Sequence, residues 1–360
     1  MNNMREIFES TIERLLGDMV TPELLRACES GAWPAELWTT IEESGFAVAA
    51  APESHGGAGA SWDDLFVIVR AAGRYSLPLP LPEALLGNAL LGQCGLEAVS
   101  EPLSIGAHGA LSMYRGRISG TLHDVPWGRH VKQVVAITHG GEPMLVLLDT
   151  AQARCEPHLN TAGEPRDDLH FDNAEVIASA ELPQGVPADV LHLGGAMLRS
   201  AQIAGALQGV LAQTIQYATE RVQFGKAIGS FQALQHHMAV LAEHVGCTTV
   251  VTECAFAQSQ DAAAGFAALP IASAKICSAE AAGVAASVAH TVHGAIGFTH
   301  EHALHLSTRR LWSWRSEFGN ATHWSQRLGQ AVCQGGSQAL WPTITSGQLA
   351  LAATHSGANA

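Results

Sequence analysis

Apolar residues recur along this chain with two different periods, and the change of period divides it into three parts. Ile203, Leu207, Val210, Leu211, Ile215, Ala218 and Val222 follow one another mostly at three- and four-residue steps, which predicts one face of a long helix. A second stripe, Phe231, Leu234, Met238, Leu241 and Val245, predicts another helix, with Ser230 as its N-cap. Between them Gly225 is expected as a left-handed C-terminal cap, with Arg221 in the last turn. Helical patterning also fills residues 4–75, where Thr21-Pro22-Glu23 and Ser61-Trp62-Asp63-Asp64 place a hydroxyl before acidic first-turn residues. The run Ser76-Leu-Pro-Leu-Pro-Leu-Pro82 breaks that pattern and reads as a connector.

From about 103 to 185 the period shortens to alternation. Ala110–Tyr114, Gln133–Thr138 and Met144–Asp149, each bounded by turn formers, predict strands of a small antiparallel domain. The expected class is therefore α+β: an N-terminal helical domain (1–97), a central antiparallel β domain (98–187) and a C-terminal four-helix bundle (188–343), with 344–360 as a mobile tail. Small residues such as Ala281, Ala282, Ala285 and Ala286 suit close helix approach in the bundle.

Composition narrows the function classes. With 360 residues, 47% hydrophobic and 14% charged, the chain can bury a large core. Its net charge of −14, from 33 acidic against 19 basic residues, repels a phosphate backbone and argues against a nucleic-acid partner. No uninterrupted apolar run of the length needed to cross a bilayer is present; the most apolar stretch, Ala262–Ala274, is broken by Pro270, so no membrane span is expected. The N-terminus lacks a basic region followed by an apolar core, and seven scattered cysteines form no CxxC pair. Both point to a cytoplasmic protein with reduced thiols and no structural zinc.

Three segments carry chemistry. Arg221-Val-Gln-Phe-Gly-Lys-Ala-Ile-Gly-Ser-Phe-Gln232 lies at the break between the two helical stripes. Trp33-Pro-Ala-Glu-Leu-Trp38 leads to Pro52-Glu-Ser-His-Gly-Gly-Ala-Gly59 near the N-terminus, and Val292-His-Gly-Ala-Ile-Gly-Phe-Thr-His-Glu-His302 precedes the last helical region. In this order they resemble the motifs of the acyl-CoA dehydrogenase family. The resemblance implies an FAD cofactor whose pyrophosphate is reached by Arg221, whose adenine end packs near Phe224 beside Gly225, and which takes a polar contact from Gln232. In that family these groups usually serve the FAD of a neighbouring subunit. By the same resemblance His293 and Gly294 fall in a loop that touches adenosine or the FAD phosphates. The activity implied is oxidation of an acyl-CoA to its 2,3-enoyl form, in a homo- or hetero-oligomer (dimer or tetramer), with an electron-transfer flavoprotein as acceptor.

Such chemistry needs a carboxylate base, and the resemblance places it directly before a glycine near the C-terminus. Here the string is Ser316-Glu317-Phe318-Gly319, with the carboxylate one residue early. On a helix that offset is about a 100° rotation. Glu317 is thus the candidate catalytic base, expected in an apolar pocket that raises its pKa, or else a solvated residue or one paired with Arg309, Arg310 or Arg315. The helix before Arg221, Gly194–Gln202, offers no carboxylate in its place. That absence keeps open a second reading, a non-catalytic partner subunit of a heteromeric dehydrogenase, and a third, a flavin monooxygenase on the same fold. The central region lacks the threonine- or serine-containing segment that the resemblance leads one to expect at the flavin ring, and Trp127 is read as a packed sheet residue. His302 and His305 are three apart, but no third ligand suggests a metal site.

Overall fold

A computed structural model describes residues 3–260 and 266–347. Five helices come first: α1 (Asn3–Met19), α2 (Pro22–Glu29), α3 (Ala35–Glu43), α4 (Trp62–Arg74) and α5 (Leu81–Gln93). The predicted caps form. Thr21 accepts from Leu24 N at 3.2 Å, and Ser61 and Asp64 make a reciprocal capping box that starts α4. The proline run is a core strap rather than a solvent linker, because Leu77 and Leu79 are buried and α5 is buried along its length from Leu81 to Gly92. Its one buried amide, Asn88, is stapled to Ala47 O at 2.8 Å and to both the N–H and C=O of Val99, so the helix buries no unmet polar side chain.

The sheet has seven strands: β1 (Leu103–Gly106), β2 (His108–Tyr114), β3 (Arg117–Pro126), β4 (Gln133–Ile137), β5 (Met144–Asp149), β6 (Ala153–Glu156) and β7 (Arg166–Glu181). They run in the order β1-β4-β5-β7-β3-β2, with β6 paired to β7. The expectation of a purely antiparallel sheet needs one correction, since β1 and β4 are parallel. A register shift between Leu122 and Val125 surrounds Asp124, whose φ of 52° marks the kink.

The C-terminal helices are α6 (Val190–Glu220), α7 (Gln232–Ser259), α8 (Ala268–His293), α9 (Leu304–Trp314), α10 (Ala321–Gly335) and α11 (Ser337–Ser346). A two-residue-strand hairpin, β8 (Val222–Gln223) and β9 (Lys226–Ala227), joins α6 to α7. The long helices α6, α7 and α8 pack on one another, α9 joins α6 and α8, and α10 lies on α8. The alanines at 281, 282, 285 and 286 are all buried in α8, as their size suggests. The segment Ala268–Phe298 is long and apolar enough to cross a membrane, yet 61% of its most apolar window is buried as a core helix. The predicted tail is helical as far as Ser346; residues 348–360 lie outside the described residues, as do 261–265 of the Ala-rich stretch.

The N-terminal helices share the bundle's core. α4 lies on α6 with the backbones nearly touching: a Cβ at Gly73 would sit 1.9 Å from Gln202 O, and one at Gly205 would sit 1.8 Å from Arg70 O. One apolar cluster runs from Ile12 and Trp38 through α4 and α5 to Met197, Phe318 and Trp324.

Candidate active site and cofactor cleft

The break between the helical stripes is a hairpin, and this corrects two cap assignments. α6 ends at Glu220 with extended Arg221 as its C-cap, and Gly225 sits at the hairpin tip rather than at the helix end. Gln223 pairs with Lys226, so Phe224 (φ 53°) and Gly225 (φ 82°) form a two-residue turn with both φ positive. Glycine suits that geometry, whereas a phenylalanine there is strained by about 1–3 kcal/mol. Ser230 does not cap α7; its hydroxyl donates to Ala227 O at 2.7 Å, and Phe231 occupies the N-cap without a side-chain bond.

This hairpin forms one wall of a cleft of about 590 Å³ that brings together Arg221, Phe224, His293 and Gly294, with Tyr217 and Phe231. Gln232, exposed at the start of α7, and Gly225, at the turn tip, lie beside the cleft without lining it. Phe224 is 89% exposed. Arg221 is exposed and has no side-chain hydrogen bond or ion pair among the described residues. His293 stacks on Tyr217 at 4.4 Å, its Nδ1 meets Ala289 O at 2.8 Å, and its buried Nε2 has no hydrogen-bond partner among the described residues. Burial lowers its pKa and keeps the ring neutral. A free guanidinium, an unmet imidazole nitrogen and three aromatic rings around one cleft fit a dinucleotide: a pyrophosphate for the arginine and a base for the rings.

Glu317 lies elsewhere, in the turn after α9, on the wall of a separate cavity of about 500 Å³. Its carboxylate is saturated. Oε1 accepts from Asn160 Nδ2 and Arg166 Nε, each at 3.0 Å, and Oε2 from Arg166 Nη2 at 3.1 Å and Arg199 Nε at 2.6 Å. The expected raised pKa is reversed. Burial alone pushes the carboxyl up, but the Arg166 and Arg199 charges and the Arg166 and Asn160 hydrogen bonds outweigh it and hold the group well below the usual carboxylate range. The pairing partners also differ from the arginines near in sequence. Arg309 and Arg310 pair with Glu29, and Arg315 lies over the Trp312 ring.

The clamp is one link of a buried ladder of alternating charge. Glu83 of α5 pairs with Arg199 of α6 at 2.6 Å, Arg199 with Glu317, Glu317 with Arg166 at the start of β7, and Arg166 with Glu164 at 2.9 Å. Glu164 then meets Arg310 of α9 at 3.2 Å and the Trp314 indole N–H at 3.0 Å. All three parts of the chain are thereby tied through the loop 157–165. Behind it, fully buried Lys275 donates to Trp314 O at 2.7 Å, and burial pushes its pKa down to about 7 despite the attraction of Glu317.

Sequence reasoning missed Asn160, Glu164, Arg166, Arg199 and Glu83. One signal for Arg199 was available, a lone arginine in an otherwise apolar helical run, because such a charge is seldom buried unpaired. Phe318 takes the position directly before Gly319. Its φ is 52°, its ring faces His108 at 5.8 Å, and it seats where a Cβ on Gly195 would come within 2.4 Å. The one-residue offset therefore sends carboxylate and ring into different surroundings. Trp127 is buried against Trp33 at 6.4 Å, the packed reading.

The acyl-CoA dehydrogenase N-terminal domain model matches residues 3–101, and the acyl-CoA dehydrogenase C-terminal domain model matches residues 193–320. The chain belongs to the acyl-CoA dehydrogenase family. As such it is an enzyme of the FAD-dependent acyl-CoA dehydrogenase type. This dehydrogenase is 29% identical over 315 residues to acyl-CoA dehydrogenase IpdE2 of Mycolicibacterium smegmatis, covering 86% of this chain and 93% of that one. Its fold matches a chain of the ChsE4–ChsE5 complex from Mycobacterium tuberculosis with a TM-score of 0.83 at 22% identity, over 93% and 98% of the two chains. It also matches butyryl-CoA dehydrogenase from Megasphaera elsdenii with a TM-score of 0.80 at 16% identity, over 92% and 98%.

Proposed function

We propose that this dehydrogenase chain works as one subunit of an FAD-dependent assembly that forms 2,3-enoyl-CoA, and that the substrate's α-proton goes to a carboxylate other than Glu317. The saturation of Glu317 carries this reading. A base needs a lone pair facing the C–H and a pKa near the working pH. Glu317 has four donors on two oxygens and a depressed pKa.

In this reading Arg221 binds the pyrophosphate of FAD in a neighbouring subunit, Phe224 and Phe231 cover its adenine end, and Gln232, His293 and Gly294 supply polar and backbone contacts. The chemistry that FAD supplies when bound is acceptance of the substrate's β-hydrogen as hydride. The missing base comes from a related, unlike chain, which the likeness to a chain of the two-chain ChsE4–ChsE5 complex supports. The electrons pass on to an electron-transfer flavoprotein. One observation favours the other reading, Glu317 as base: its side chain keeps 17% exposure at the cavity wall, where a bound acyl group would meet it.

Anaerobic titration with a panel of acyl-CoAs decides between them. The chain co-expressed with a related family member is expected to bleach its flavin, and to do so equally when this chain carries Glu317→Gln. Loss of bleaching in that variant, with fold and flavin retained, would assign the base to Glu317. Bleaching by the chain alone would remove the partner.

A further inference from the structure

Behind the Glu317 cavity lies a lysine that neither assignment of the base uses. Lys275, in α8, is fully buried, whereas the chain's two other lysines, Lys132 and Lys226, are exposed. Its Nζ donates to Trp314 O at 2.7 Å, the carbonyl that ends α9. From there the backbone turns through two successive positive φ values, 52° at Phe318 and 89° at Gly319, and Phe318 O accepts from the Trp324 indole N–H at 2.9 Å. The turn is thus pinned at one end by Lys275 and at the other by Trp324. The stretch between them supplies Ser316, Glu317 and Phe318 to the cavity wall. A phenylalanine at positive φ persists only where its surroundings hold it, so the turn depends on those two pins.

Lys275 is better suited to this place as an amine than as an ammonium. An ammonium carries three N–H groups, and the one hydrogen bond that Nζ makes among the described residues goes to Trp314 O. The charge ladder beside it is already balanced, since Glu83, Glu317 and Glu164 face Arg199, Arg166 and Arg310. A proton on Lys275 adds an unmatched charge. The groups that face it are Arg199 and His192 from α6, and Arg315 and Glu317 from the turn. Of these Glu317 alone attracts the proton, and its oxygens are taken by four other donors. Burial is the largest influence, so above about pH 7 the amine is neutral. In water the same group keeps its proton up to the ordinary value of 10.5. Opening the turn to solvent therefore takes up a proton between about 7 and 10.5, and by linkage becomes easier as the pH falls through that window and level below it.

We infer that Lys275 is a proton-operated latch under the wall of the Glu317 cavity: the turn from Arg315 to Gly319 closes over the neutral amine, and a proton on Nζ loosens it. Glu317 and Phe318 ride on that turn, so the shape of the cavity answers to this one proton whichever carboxylate serves as base.

The test is amide hydrogen exchange in the purified flavin-loaded protein, with whatever partner chain co-purifies. Residues 312–320 are followed at pH 9, 8, 7 and 6, each rate being divided by the intrinsic exchange rate at that pH. Protection is expected to fall about tenfold from pH 9 to 8, about fivefold from 8 to 7 and only about twofold from 7 to 6. In Lys275→Met, which keeps the length of the side chain without a titratable group, protection of the same stretch should not depend on pH. Should that variant misfold, lysine labelled with 13C at Cε decides in the unaltered protein, because of three resonances that of Lys275 must titrate near pH 7. Protection that does not change with pH, the same change in Lys275→Met, or a Lys275 resonance that keeps its ammonium position up to pH 9 would overturn the inference.

Discussion

The Arg221–Gln232 hairpin and the Glu317 node use charge in opposite ways. Arg221 stands in solvent with no side-chain partner among the described residues, beside a strained and almost wholly exposed Phe224. Glu317 is enclosed, with every oxygen answered by a donor from another part of the fold. Exposed unpaired charge adds little to folding and is available to a ligand. Buried paired charge holds the fold and is poorly placed for proton transfer. In the proposed reading the difference teaches that the carboxylate nearest the family position is invested in architecture, whereas binding falls to groups that stability alone does not explain.

The contrast breaks most visibly if the node is cut. Glu317→Ala leaves Arg166 and Arg199 buried without their shared anion and should destabilise the protein by about 3–5 kcal/mol, read as a lowered urea midpoint. Acid acts on the same node. The Glu317 pKa is lower in the folded than in the unfolded chain, so its stabilisation is complete above the ordinary value of 4.5 and is lost as the pH falls below it. His192 moves the onset upward. Free in the unfolded chain it takes a proton near 6.5, but folded only near 2, so stability declines as the pH drops below about 6.5. Urea midpoints at pH 7.5, 6 and 5 should fall in that order, and His192→Gln should flatten the first step.

The hairpin should respond in reverse. Arg221→Ala is expected to shift stability by no more than about 0.5 kcal/mol while weakening FAD retention roughly tenfold, the loss of about 1.4 kcal/mol of binding, measured as flavin released on dilution. The smallest effect is the most diagnostic. Phe224→Gly removes the positive-φ strain and should raise the unfolding midpoint slightly, by less than about 1 kcal/mol, yet still loosen the flavin. A variant that is both more stable and a poorer binder would show that the strain serves the ligand; unchanged flavin affinity would detach Phe224 from the cofactor.

Much of the architecture was legible because it rests on local chemistry. The three- and four-residue stripes gave α6 and α7, Ser61 and Thr21 capped the predicted helices, and alternation located β2, β4 and β5. Errors arose where distant contacts decide. The Leu-Pro repeat is the expected connector, but nothing local shows that its leucines are claimed by the core. Gly225 looked like a helix cap because nothing in the sequence separates that role from a hairpin tip. The cleft at the hairpin was readable as segments, since Arg221 and Phe224 are near neighbours and His293 and Gly294 adjacent. The Glu317 node was not, because Arg166 and Arg199 reach it from 151 and 118 residues away, separations that leave no periodic trace.

The backbone contact at Gly73 and Gly205 has a consequence for how the chain is made. Helices α1 to α5 leave the ribosome first, but the surface they close upon belongs to α6, which is synthesised only after the whole sheet. Until then the nascent chain carries the α6-facing side of α4 with nothing to cover it. Its first third is therefore expected to depend on a holding chaperone during synthesis, and a nick in the sheet would leave the two helical parts joined by their own packing rather than set them free.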